Sequence, residues 1–219
     1  MRRKIALVFV LVLMMVANGE AAGAFGSSFG TLWTARSLGM ANGSVGLGIG
    51  AADHTSFLGY FKYGLSDYTD GRILLGIADD AGVNATITIG ADFKYQLLNF
   101  QRGGTDPFDL ALGALAEYLD FDNMSAIQIG GHVLGSYPVA LKGGTTLSPY
   151  GRINVRLERT KIEVPAGRGG ETSEKKQSEL KFGLNMGVCW DISRDVGLYG
   201  EFQFDGNDGI FLGVSYSVL

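Results

Sequence analysis

The feature that most constrains this chain is an alternation of apolar and polar residues, with a period of two, that recurs along most of its length. In residues 180–191, Leu180, Phe182, Leu184, Met186, Val188 and Trp190 alternate with Lys181, Gly183, Asn185, Gly187, Cys189 and Asp191. In residues 85–97, Ala85, Ile87, Ile89, Ala91, Phe93, Tyr95 and Leu97 alternate with Thr86, Thr88, Gly90, Asp92, Lys94 and Gln96. Successive side chains of a strand point to opposite faces, so each segment presents one apolar and one polar face. A soluble sheet turns the apolar face to a core. A membrane-spanning barrel turns it to lipid and keeps the polar face in the lumen.

Strand length and charge decide between the two. The segment at 85–97 runs for about 13 residues, longer than the 9 to 11 that cross a tilted bilayer and about twice an ordinary strand. The polar register carries Lys62, Arg72, Lys94, Arg152, Arg156 and Lys181 together with Asp92, Glu117, Glu158, Asp191, Glu201 and Asp205. On a lipid face each Arg or Lys near the midplane would cost about 2–4 kcal/mol, so this register must face the lumen. Equal numbers of the two signs favour mutual pairing inside a narrow barrel, while a conduction or ligand path along the same residues stays open.

Similar segments at 45–49, 55–65, 72–77, 110–118, 127–133, 150–160 and after 195 bring the expectation to about ten antiparallel strands in an all-β, up-and-down transmembrane barrel, with 8 or 12 as alternatives. An even number keeps both termini on one side. Residues 66–71 and 193–195 read as short turns, residues 99–107 and 136–147 as longer linkers, and the hydrophilic stretch 165–177 as a solvated loop. Tyr63, Tyr95, Tyr118, Trp190 and Tyr216 fall near strand ends, where interfacial girdle residues belong.

The start of the chain has a different character. Arg2, Arg3 and Lys4 precede an apolar run from Ile5 to Ala17 and a small-residue stretch ending at Ala24. This is the pattern of a secretory signal peptide over residues 1–24. Its apolar run is too short for a spanning helix. Removing it takes the formal net charge from −4 to about −6, an acidic balance that argues against a nucleic-acid partner. Residues 25–42, small and polar with Leu32 and Trp33, read as an arm that plugs the lumen or as a leader into the barrel of residues 43–219.

No motif for chemistry stands out. His54 and His132 are the only histidines, and neither lies in a nucleophile motif. Cys189 is alone, and the carboxylates lack ligand spacing, so no metal, cofactor or catalytic residue is expected.

The signal segment, the alternating strands and the final run Gly209, Ile210, Phe211, Leu212, Gly213, Val214, Ser215, Tyr216, Ser217, Val218, Leu219 resemble those of small bacterial outer-membrane β-barrel proteins. The alternation of Ile210, Leu212, Val214, Tyr216 and Val218 is similar to the C-terminal signal by which that class engages the barrel-assembly machinery, with Leu219 in place of the terminal aromatic. Residues 34–41 (TARSLGMA) are similar to the opening motif of barrels related to the fatty-acid transporter and to secretion-associated porins. The resemblance implies export to the outer membrane of a Gram-negative-type bacterium and contact with its lipid. It implies a structural barrel, or a narrow channel or small-solute carrier, and not an enzyme. Two alternatives are a transporter of hydrophobic solutes with 25–42 as a hatch, and a surface adhesion protein acting through 165–177.

Overall fold

The computed structural model describes residues 27–80, 85–100, 106–121, 124–165 and 172–218. The signal segment, Phe25 and Leu219 therefore lie outside the described residues. The strands are β1 Gly43–Ala51, β2 His54–Gly64, β3 Thr69–Asp80, β4 Thr86–Leu98, β5 Asp109–Phe121, β6 Met124–Ser136, β7 Val139–Ala140, β8 Thr146–Pro165, β9 Thr172–Asp191, β10 Val196–Phe204 and β11 Gly209–Ser217. β7 is a two-residue strand against the start of β8. The other ten pair antiparallel in chain order, and β1 closes on β11 from Ser44↔Ser217 to Ala51↔Ile210. The ring is thus an up-and-down barrel closed by the C-terminal segment.

Every full strand is at least 9 residues long, enough to cross a bilayer at a tilt. The outer surface inverts the arrangement of a soluble protein. Leu47, Phe57, Ile73, Leu75, Ile129, Phe182 and Leu212 are all more than half exposed on it. Leu75 is 57% exposed, whereas its neighbour Leu74 is 2% exposed and points inward. An apolar band of this extent on all sides is far beyond what a soluble monomer tolerates, and lipid is the medium that satisfies it. Leu75→Arg is expected to lower folding stability in phosphatidylcholine liposomes by about 2–4 kcal/mol, read by urea titration. An unchanged midpoint would place Leu75 outside the bilayer.

Strand direction divides the connections into two sets. The turns after β2, β4, β6 and β9 and both ends of the barrel lie at one rim, the terminal rim; the turns after β1, β3, β5, β8 and β10 lie at the other. Tyr63, Tyr68, Tyr95, Tyr137, Trp190 and Tyr216 sit exposed near the terminal rim, while Tyr118 is near the opposite one.

Several boundaries differ from the sequence expectation. β3 begins at Thr69, so half of the expected 66–71 turn is strand. β8 begins at Thr146, inside the expected linker. The largest correction concerns 165–177. The β8–β9 ladder continues to Pro165↔Thr172, so residues 172–177 are strand rather than loop. The outward apolar rows end at the paired Leu157 and Leu180, and the next outward pair is Arg159 and Ser178. Beyond that level the hairpin stands above the apolar band. Both faces meet water there, which is why its sequence loses the alternation. On this projecting part Lys161 bonds Glu174 at 2.9 Å and Glu163 at 3.1 Å. The hydrogen bond from Lys161 holds the Glu174 carboxyl below its usual range, and the same contacts raise Lys161.

Candidate functional site: a plugged lumen

The lumen is occupied by the chain's own N-terminal arm. Ser27 lies at the rim opposite the barrel termini, against Gln203, Asp205 and Asn207. Ser37 and Leu38 lie toward the terminal rim, against Asp70. The arm therefore threads the barrel lengthwise before Gly39, at φ +84°, helps turn it into β1. An extended segment inside a barrel has no ladder partners, so its backbone groups need side chains from the wall. The lumen-facing residues supply them.

At the far rim, Ser27 Oγ donates to Glu117 at 2.6 Å, and the Ser27 carbonyl accepts from Gln203 at 2.7 Å and Asn207 at 2.9 Å. Arg156 bonds the Asp205 carboxylate at 2.5 Å and donates to the Asp205 carbonyl at 2.9 Å. Gln128 donates to Glu158 at 3.2 Å. At mid-height Glu201 accepts the Thr31 N–H at 2.6 Å, the Leu32 N–H at 2.9 Å and the Tyr150 hydroxyl at 2.6 Å. Arg72 pairs with Asp92 and donates to the Thr31 carbonyl at 2.5 Å; Lys62 donates to the Leu32 carbonyl at 2.8 Å. Leu32 is thus gripped from both sides while its φ is +38°, a left-handed value that costs a non-glycine residue about 1–3 kcal/mol unless its surroundings impose it. Nearer the terminal rim, Lys94 donates to the carbonyls of Thr34 at 2.5 Å and Arg36 at 2.6 Å and lies 3.3 Å from Asp70.

Trp33 sits among these cations, with Lys94, Arg72 and Lys62 at 4.3, 4.9 and 5.8 Å from its ring centroid. A desolvated indole face in such a place attracts positive charge. Apolar packing adds a second anchor: Phe29 and Leu32 form a buried cluster with Leu58, Tyr60, Leu74 and Phe211. Phe29 fits because Gly76 and Gly90 lack side chains; a Cβ there would fall 2.9 and 2.8 Å from its ring.

Ten of the twelve charged residues on the polar register are buried inside: Lys62, Arg72, Asp92, Lys94, Glu117, Arg152, Arg156, Glu158, Glu201 and Asp205. Lys181, which pairs with Glu179, and Asp191 are half-buried nearer the rims. Arg152 approaches Asp92 at 3.6 Å. His132 lies 3.7 Å from the same carboxylate, inside the wall rather than beside a nucleophile. Asp70 and Asp109 were missed. Asp70 holds the arm and Asp109 accepts from Gln96 at 3.2 Å. The alternation that put Arg72 inside also puts Asp70 there once β3 is known to begin at Thr69. Ile210, Leu212, Val214, Tyr216 and Val218 all face outward. Among the described residues no cluster of three or more His, Cys, Asp or Glu is placed to hold a metal ion.

Below the arm, at the terminal rim, the lumen opens into a cavity of about 690 Å³ with Lys62, Trp33, Cys189 and Tyr199 among its lining. Fold and lumen together define a membrane-spanning antiparallel β-barrel with part of the 25–42 arm inside its lumen. No protein-family model matches the chain, and no curated protein matches it. Among solved structures it is similar to the N-terminal barrel of Pseudomonas aeruginosa OprF, at 14% identity and a TM-score of 0.38 over 82% of this chain and 99% of that one. It is also similar to an outer membrane channel from Pseudomonas putida F1, at 12% identity and a TM-score of 0.36 over 91% and 99%. The β domain of the Bordetella autotransporter Brka follows at 10% identity and a TM-score of 0.37 over 82% and 98%.

Proposed function

We propose that the protein is a bacterial outer-membrane barrel, exported by residues 1–24, that is closed at rest by residues 25–42 and serves as a structural barrel or a narrow carrier of small solutes rather than an open pore. One observation carries this reading: Lys62, Arg72 and Lys94, the wall cations that would otherwise line a conduction path, all spend N–H groups on arm carbonyls. Hydrogen bonds from charged donors in a dry interior are strong enough to hold such a segment in place. In a planar bilayer the intact protein should pass no steady current, and deletion of 25–42 should produce one. Equal current in both forms, or none in either, would overturn the plug. The hydrophobic-solute alternative is less favoured, because the β1–β11 and β6–β8 ladders continue without a gap that would lead from lumen to lipid.

The β8–β9 hairpin favours a second, surface-interaction reading. Among the described residues, Thr172 to Phe182 of β9 have no ladder partner on the side away from β8, since pairing with β10 begins at Leu184. A free strand edge is a template for strand addition by a partner. Replacing residues 162–175 with Asn-Gly should close the hairpin at Lys161↔Lys176 and leave heat-modifiable gel migration intact. Adhesion by cells carrying the shortened barrel, undiminished, would sink this reading.

A further inference from the structure

The wall of the lumen holds the arm by its backbone. Among the described residues it bonds six N–H groups and five carbonyls of residues 27–38. Glu201 by itself accepts the N–H groups of Thr31 and Leu32, and Lys94 by itself donates to the carbonyls of Thr34 and Arg36. The arm's side chains are used far less. Ser27 and Ser37 bond the wall through their hydroxyls, but the hydroxyls of Ser28 and Thr31 and the Trp33 indole N–H are buried without a partner. Residues 27–35 carry no charged side chain, so no ion of the wall is matched to a charge on that part of the arm. Every sequence offers the same N–H and C=O groups, so contacts of this kind bind an extended chain with little regard to its side chains.

Specificity then falls to three positions. Phe29 has its seat at Gly76 and Gly90. Leu32 has one of the same kind at Gly48 and Gly213, where a Cβ would fall 2.9 and 3.0 Å from its side chain. Between them Gly30 is pressed against Phe211, and a Cβ on it would lie 2.8 Å from that ring. Pockets for a few side chains along a backbone-bonded strand are the usual means of selecting a peptide. We infer that the lumen is a peptide-binding site: once the arm withdraws, it takes in trans an extended, uncharged peptide segment with the spacing Phe-Gly-x-Leu, and the arm is the tethered competitor that keeps the site filled. The inference rests on the plug reading and adds a class of ligand to it.

Replacing two arm residues together, Phe29→Ala with Leu32→Ala, empties both seats in the full-length chain without altering a strand. In phosphatidylcholine nanodiscs this form should bind a fluorescein-labelled peptide of residues 27–38 (SSFGTLWTARSL) saturably, followed by anisotropy. The parent should bind it at least tenfold more weakly, because a tethered arm competes at an effective concentration on the order of millimolar. Within the peptide, Ser28→Ala with Thr31→Ala should change the affinity by less than about threefold, whereas Phe29→Ala, or methylation of the Leu32 backbone nitrogen, should weaken it at least tenfold. A peptide that keeps Phe29, Gly30 and Leu32 and is alanine or serine elsewhere should bind within about tenfold of the first. No saturable binding, equal binding to the parent, full affinity without Phe29 or with the methylated nitrogen, or loss of binding in the hydroxyl-free or minimal peptide would each overturn the site. If the doubly substituted chain fails to fold, Phe29→Ala alone takes its place in the same titrations. Current in a planar bilayer tests the arm separately: a parent that conducts would indict the plug, whereas a silent parent whose substituted form conducts but ignores the peptides would indict only the peptide site.

Discussion

Replacing Asp205 with alanine is expected to lower the stability of the barrel by about 3–5 kcal/mol, the range for removing one partner of a buried ion pair. Arg156 and Asp205 are both fully buried and lie 2.5 Å apart, and Arg156 also donates to the Asp205 carbonyl. Without the carboxylate, the Arg156 guanidinium loses the one carboxylate bonded to it and keeps only the residue-205 carbonyl at 2.9 Å and Asn154 at 3.3 Å, with Glu117 and Glu158 as the remaining nearby negative charges. The Ser27 N–H would also lose its acceptor, loosening the arm at its far end. Urea titration in liposomes, followed by tryptophan emission, measures the loss. Converting both partners together, Arg156→Met with Asp205→Leu, should recover most of it, because an apolar pair of similar volume is often as stable as a buried ion pair. A single variant as stable as the parent would mean that water reaches Arg156.

Phe29→Ala should free the arm while leaving the wall intact. The ring is 2% exposed and seated between Gly76 and Gly90, so truncation removes packing worth about 3–5 kcal/mol for a buried phenylalanine. That loss falls on the arm rather than on the strand ladders. The expected signature is current through a previously silent barrel, with the gel shift unchanged. Gly90→Val reaches the same end from the wall side, by filling the seat. If both variants stay silent and as stable as the parent, the polar contacts alone hold the arm.

How far the sequence is legible depends on where its physical constraint comes from. The membrane imposes a binary rule on every spanning residue, so Lys94 can be placed inside and Tyr95 outside from alternation alone, and their exposures agree. Where the membrane stops, so does the rule. Residues 172–177 are polar at every position because both faces of the projecting hairpin meet water, and polarity without period reads as a loop. Asp70 was lost for a related reason: its surroundings look like a turn, and only the ladder from Gly64↔Asp70 onward shows it to be strand.

The sequence by itself determined the class of fold and the inward register, because each follows from the cost of putting charge or unpaired backbone in lipid. It left undecided what the inward charges do. The arm at 25–42 has no period to read, and whether Lys62, Arg72 and Lys94 pair across the lumen, line a pore or bind the arm depends on contacts between residues 30 to 60 positions apart. Only the tertiary structure brings those carbonyls within reach of the wall. There ten of the twelve charges, all but Glu158 and Asp191, form ion pairs or hold the arm.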